Sequence, residues 1–269
     1  MMKKITEPGV YELSNEEYHE QNALNKSGLV QLAKSPAHFH EWFHAAEEEP
    51  TRALVVGTAI HMAILEPGKY EQSVIISPQV DKRTKDGKAR WAKFEKKAKG
   101  KIILNQDEAT AIQGMKESVY KNMTAFDLLL EGKPEQSIFF NDPVHQFMCK
   151  VRPDWYTNGM IVDLKTCLDA GYDGFSRTIA NYKYHWQALF YLNGLTAVTQ
   201  QEHSTFIYIA LEKDPPYAVA VYEATKDMLQ TAERQIGPLL DLYAECLRTD
   251  CWPGYKDEVQ QIQLPRWAA

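Results

Sequence analysis

The sequence predicts an α/β protein with a mixed central β-sheet flanked by helices. Three observations carry this reading. Short β-branched and aromatic runs separated by turn residues fill residues 136–166. A second strand pair, HSTFIYIALEK and YAVAVYEA, lies across Asp214-Pro215-Pro216. Helical patterns lie on both sequence sides of these strands, an order that places helices on the faces of a sheet. The chain has 269 residues and neither an internal repeat nor a low-complexity tract, so it reads as a single domain, 1–269.

Residues 1–23 read as an irregular lead-in. Asn25 or Ser27 caps a short helix, SGLVQLAKS, that stops before Pro36. PAHFHEWFHAAEEE carries proline in its first turn. Residues 51–66, TRALVVGTAIHMAILE, are apolar on most sides, which predicts a largely buried helix ended by Pro67-Gly68. SVIIS, 73–77, predicts a short strand, and 107–130 one helix begun by acids. EQSIFFN, a DPVH turn, QFMCKVRPDWY, a TNG turn and MIVDLKT then predict a three-strand meander. Helices at about 172–182 and 184–196 come next, and a long one at about 224–248 closes the chain.

Composition narrows the class. No apolar run approaches the roughly 18 residues of a membrane helix. The N-terminus, MMKKITEPGVYELSNEEYHE, lacks the apolar stretch of a secretory signal, so a cytoplasmic location and no membrane partner are expected. Cys149, Cys167, Cys246 and Cys251 show no CxxC spacing, and no histidine completes a zinc pattern; they read as reduced thiols. The net charge of −6 argues against indiscriminate nucleic-acid binding. Yet residues 82–101 hold ten Lys/Arg against two acids, a local +8 that leaves −14 for the rest. This is a basic strip on an acidic body. Its cations surround any helix it forms, so it is expected to be exposed and mobile.

The chemistry concentrates in RPDWYTNGMIVDLKT, residues 152–166. Asn158-Gly159 is a strong type I′ hairpin signal. With those two as the loop, Thr157 pairs with Met160, Tyr156 with Ile161, Trp155 with Val162 and Asp154 with Asp163. The two carboxylates would then stand opposite each other, with Lys165 and Ile161 on the same face and Val162 and Leu164 on the other. Opposed like charges are destabilising, and a divalent cation resolves the repulsion. Two carboxylates suit Mg²⁺, which keeps waters for phosphate ligands. A lysine beside them can stabilise a phosphorane or orient and deprotonate the attacking water. The set is one for phosphodiester hydrolysis. A surface hairpin whose lysine merely neutralises the acids is the structural alternative.

RPDW…IVDLKT resembles the PD-(D/E)xK signature of the restriction-endonuclease-like nucleases. SPAHF, GTAIHMAILEPGKY, RTKDGKARWAKF, KYHWQALFY, EKDPPYAVAVY and CWPGY extend the likeness, from about residue 8 to the terminus, to the exodeoxyribonuclease VIII (RecE) family. The chain resembles the C-terminal nuclease part of that family. The resemblance implies a restriction-endonuclease-like core and a Mg²⁺-dependent exonuclease, with Mn²⁺ as substitute, that digests the 5′-ended strand of linear double-stranded DNA. It also implies 3′ tails passed to a RecT-like annealing protein, and a ring-like homo-tetramer. By matching positions, Asp154 and Asp163 are the metal-binding acids, Lys165 the catalytic lysine, the Leu164 carbonyl a further ligand and His61 a ligand from a helix. Gln187 and Tyr191 match a QxxxY helix motif that orients active-site groups or touches DNA. Glu135 matches an acid that reaches a second metal in some relatives. Some RecB-type nucleases hold an iron–sulfur cluster with one early and three late cysteines; the cysteine positions here imply none.

A nuclease of this net charge needs a focused DNA surface. Lys82, Arg83, Lys85, Lys88 and Arg90 are candidates for phosphate neutralisation. Trp91 or Phe94 is a candidate for stacking on a terminal base. Lys26, Ser27 and Lys34 near the first helix are further candidates, since a helix N-terminus can hold a phosphate. Alternative readings are a nuclease of other polarity or single-strand preference, a DNA-end-binding scaffold without activity, and a hydrolase of small phosphoesters. The basic strip weighs against the last, and the full His61, Asp154, Asp163, Lys165 set against the scaffold.

Overall fold

Pro153 divides the strand-rich centre of the chain between two sheets. It has no N–H to give a ladder and a fixed φ, so a strand reaching it must stop or bend. The computed structural model describes residues 4–46, 49–157 and 159–264. The N-terminal region contains β1 (Gly9–Tyr11) and α1 (Asn15–His19), where an irregular lead-in was expected. A capping box between Ser14 and Glu17 starts α1. Next come α2 (Lys26–Leu32), capped by Asn25, and α3 (Pro36–His44), capped by Ser35 with Pro36 at its start. In α4 (Arg52–Leu65) only the second half is deeply buried, from Ala59 to Leu65, while Leu54 is exposed. Pro67 does not simply end this helix. It opens a further one, α5 (Pro67–Ser73), because proline fits the first turn as well as it breaks an interior.

A small βαβ unit comes after α5. β2 (Val74–Ile76) runs parallel to β3 (Ile102–Leu104), and α6 (Lys85–Ala98) is the crossover between them. Most of the basic strip is therefore helical, capped by Thr84, and it buries Phe94 and Ala98. The expected helix at 107–130 is two, α7 (Gln106–Lys121) and α8 (Met123–Leu128). Asn122 divides them by capping the second through the Ala125 N–H. β4 (Lys133–Pro134), β5 (Ser137–Asn141), β6 (Met148–Val151), β7 (Trp155–Thr157) and β8 (Met160–Cys167) come next. The chain ends with α9 (Tyr172–Tyr182), α10 (Tyr184–Thr199), β9 (Thr205–Glu212), β10 (Val219–Glu223) and α11 (Lys226–Thr249).

β1, β5 and β6 form a three-stranded antiparallel sheet, so the predicted meander is split: β5–β6 lie in one sheet and β7–β8 in another. The larger sheet has the order β10-β9-β8-β7-β4, with only β8 and β9 parallel. Alternation along β8 and β9 sends side chains to two cores. Ile161, Phe206, Tyr208 and Ala210 pack with Leu29, Phe39, Phe175, Phe190 and Ile236 from α2, α3, α9, α10 and α11. Val162, Leu164, Ile207, Ile209 and Leu211 pack with Ile60, Ile64, Ile112 and Val119 from α4 and α7. The sheet is thus covered on both faces, a restriction-endonuclease-like arrangement. α10 also closes on the smaller sheet: a Cβ added at Gly194 would meet Phe140 Cε1 at 2.6 Å. Among the described residues no helix is long and apolar enough to cross a membrane.

Candidate active site

The β7–β8 hairpin has the register its turn implies. Trp155 pairs with Val162, Tyr156 with Ile161 and Thr157 with Met160. Gly159 adopts φ +85°, a conformation an L side chain rarely takes; Asn158 lies outside the described residues. The ladder ends at Trp155. Asp154 sits in the bend created by Pro153, and its side chain takes over as partner: Asp154 Oδ2 accepts the Leu164 N–H at 2.8 Å. Its own carbonyl accepts the Glu135 N–H at 3.1 Å. The N–H and C=O of one strand residue point to the same edge, so the Leu164 carbonyl also faces the Asp154 side.

Asp163, on the opposite strand, is completely buried. Its Oδ1 accepts from Gln187 Nε2 at 2.6 Å, and its Oδ2 forms an ion pair with Lys165. Burial pushes the Asp163 carboxyl up to about 6, against the pull of Lys165. Burial works equally against the charge on Lys165, but the Asp163 and Asp154 carboxylates hold it above the usual lysine value. The pair therefore survives as carboxylate and ammonium near neutral pH. The Lys165 ammonium also lies 4.9 Å from the centre of the Tyr184 ring.

A three-donor group completes the site. The ligand atoms of His61, Glu135 and Asp154 all lie within 4.8 Å of one another. His61 comes from α4, on the Val162/Leu164 side of the sheet, and its Nδ1 is 3.4 Å from Asp154 Oδ2. Burial and then Lys165 push its pKa down, so the ring is neutral and has a lone pair to offer. Glu135 adopts φ +52° between β4 and β5, an unusual conformation for a residue with a side chain, which brings its carboxylate to the group. Burial raises the pKa of Asp154, and burial with Asp154 raises that of Glu135. Two crowded acids and a neutral imidazole form a donor set that suits a divalent cation. Asp163 is not one of these three; its Oδ1 accepts from Gln187 and its Oδ2 pairs with Lys165.

Gln187 and Tyr191 share one face of α10. Gln187 orients Asp163, and the Tyr191 hydroxyl lies against the backbone of Arg152 in the segment that carries Asp154. Both act on groups around the centre. Sequence reasoning missed Arg152 and Tyr184. Arg152 donates to Glu135 Oε2 at 2.7 Å, to Ser137 Oγ at 2.6 Å and to the Leu13 carbonyl at 3.1 Å, and so fixes Glu135. The available signal was an arginine at the end of a buried strand, two residues from an acid. Such a charge is kept in a core only when it is paired.

The family model for the "PDDEXK-like domain of unknown function (DUF3799)" matches residues 25–265. The chain belongs to this family. The fold is also similar to the crystal structure of a "Putative exonuclease" from Eubacterium rectale. The TM-score is 0.59 and the identity 16%, over 95% of this chain and 97% of that one. A phage-related exonuclease from Haemophilus somnus 129PT aligns at TM-score 0.34 and 10% identity, over 85% of this chain and 96% of that one, a likeness too weak to argue from. No curated protein matches the chain.

On this PDDEXK-like domain the candidate DNA contacts divide in two. Lys82, Arg83, Lys85, Lys88 and Arg90 are all exposed on or beside α6. Lys82 Nζ lies 3.1 Å from the centre of the Trp91 ring, and Trp91 Nε1 donates to Glu95 at 2.7 Å, so this indole is already engaged. Phe94 is buried against Trp91 and is not available to stack on a base. At α2, the Gly28 N–H is taken by Asn25, and the helix is only seven residues long, which leaves little of a helix-terminus anion site. Ser27 and Lys34 are exposed there. Lys26 lies elsewhere than its helix position suggested: its Nζ donates to the Tyr182 carbonyl at 2.7 Å and sits 5.5 Å from the centre of the Tyr184 ring.

Proposed function

We propose that this PDDEXK-like domain is a divalent-metal-dependent exodeoxyribonuclease. In this reading it digests the 5′-ended strand of linear double-stranded DNA and leaves 3′ tails. The observation that carries the proposal is the convergence, at one bend, of Asp154, Asp163 and Lys165 from a single hairpin with His61 and Glu135 from separate elements. His61, Glu135, Asp154 and the Leu164 carbonyl would hold the cation, with Asp163 at its border. When bound, Mg²⁺ or Mn²⁺ offsets phosphate charge and acidifies water. Lys165, kept cationic by its acids, is placed to stabilise negative charge gathering on the phosphate oxygens. Gln187 holds Asp163, and Tyr191 and Arg152 hold the segments that bear Asp154 and Glu135.

The strand polarity, the RecE-type role, a RecT-like annealing partner and a tetrameric ring are inferred from the sequence motifs, and α6 is the surface we assign to the flanking duplex. The test is digestion with Mg²⁺ of linear and covalently closed circular duplex, the linear form labelled at either end. The proposal expects loss of linear DNA only, with 5′ label released first. Equal activity on closed circles refutes an exonuclease. Early release of 3′ label reverses the polarity, and tight end binding without cleavage favours a scaffold.

A further inference from the structure

Lys183 adopts φ +56° between α9 and α10, and the turn it makes stacks Tyr182 on Tyr184. The rings are 5.6 Å apart and 19° from parallel. Tyr184 is also where two ammonium groups meet: Lys165 lies 4.9 Å and Lys26 5.5 Å from its centre. Lys165 is neutralised by Asp163. Lys26 is not comparably served. Its ammonium donates to the Tyr182 carbonyl, and it forms no ion pair among the described residues. It is half-buried, and burial together with Lys165 pushes its pKa down to about 8. The Asp163 carboxylate pulls the other way but is already paired with Lys165, so this cation has no ion-pair partner of its own among the described residues. Beside it Tyr182 is 63% exposed, with one ring face against Tyr184. An aromatic ring left open next to an ammonium without its own ion pair is a pairing that suits a nucleotide, whose phosphate is anionic and whose base stacks.

We propose that Lys26, Tyr182 and Tyr184 form a subsite for the nucleotide next to the phosphodiester being cut. Lys26 binds its phosphate, Tyr182 stacks on its base, and Tyr184 backs the tyrosine stack and separates the two lysines. The assignment of the ligand as DNA rests on the nuclease reading. The subsite would set how the strand end is placed against Lys165, a task distinct from holding the cation.

The test uses a linear duplex with 2-aminopurine at the terminal position of the cleaved strand. In Ca²⁺, binding is read by quenching of the probe; in Mg²⁺, turnover is read as kcat and KM. Lys26→Met is expected to raise KM about tenfold, the scale of one charge-assisted contact, and to lower the salt slope of binding by about one. Lys26→Arg should restore most of both. Tyr182→Ala should lose the quenching and weaken binding by about fivefold or more, whereas Tyr182→Phe and Tyr182→Trp keep both. Wild-type KM and salt slope in Lys26→Met, or wild-type quenching in Tyr182→Ala, overturns the subsite. Asp163→Asn run in parallel separates the two ideas. If it still cleaves, the nuclease site is misassigned, while the Ca²⁺ binding data continue to judge the subsite.

Discussion

The acid hairpin and the basic helix hold charge in opposite ways. In the hairpin, Asp163 is fully buried and both its oxygens are engaged, by Gln187 and Lys165. Asp154 is tied to the Leu164 N–H, and Glu135 to Arg152. On α6 the cations are exposed, and beside it Lys82 lies over the Trp91 ring. A buried charge is costly unless its partners are fixed, so the hairpin can exist only as a preorganised constellation. An exposed charge costs little and contributes little until a polyanion arrives. On the proposed function this difference would separate a centre for chemistry from a surface for association, and substitutions in the two should fail differently.

The largest effect belongs to Lys165. Lys165→Met should lower kcat by about 10³-fold, equivalent to roughly 4 kcal/mol of transition-state stabilisation, while leaving DNA affinity in Ca²⁺ close to wild type. A comparable loss in affinity would move Lys165 from the chemistry to the surface. Gln187→Ala should be milder, about 10- to 100-fold in kcat, because it frees Asp163 to rotate without removing it. An unchanged kcat would leave the Gln187 contact a packing feature.

The acids also set a pH dependence. Asp163 is raised to about 6, and Asp154 and Glu135 are raised as well. In the metal-free protein the folded state then holds protons that the unfolded state has released, so these groups lower stability as pH rises from about 4 toward 6. A bound cation competes with those protons. The rise in Tm produced by Mn²⁺ should therefore be largest near pH 8 and shrink as pH falls below about 6. A Tm rise independent of pH over this range would contradict a carboxylate site. The smallest effect is on the basic side. Lys85→Gln with Lys88→Gln should lower the salt slope of DNA binding by about two and raise KM, with kcat retained. Loss of kcat instead would erase the distinction between the two regions.

Much of the hairpin was legible because its information is local. Gly159 sets the turn, the turn sets the register, and alternation then fixes which residues share a face. β9, β10 and α9 to α11 were readable for the same reason. The split of the meander was not anticipated, although Pro153 states it locally: a residue without an N–H cannot continue a ladder. Pro67 and Asn122 were misread in a related way. Each ends one helix and begins another, and a boundary residue does not by itself specify the element on its far side. His61, Glu135 and Gln187 were named from motif resemblance; the contacts that place them are long-range and invisible to periodicity. Arg152 and the Lys26–Tyr184 neighbourhood were missed because each depends on elements far apart in sequence.

The most direct test of the hairpin as reaction centre is the conservative exchange Asp163→Asn, which keeps the size of the side chain and an oxygen for Gln187. Wild type and variant are compared for digestion of a linear duplex in Mg²⁺ and for binding of the same duplex in Ca²⁺. Cleavage is predicted to fall by about 10³-fold or more while binding is retained. Cleavage by Asp163→Asn at the wild-type rate would contradict this, and the hairpin would not be the reaction centre.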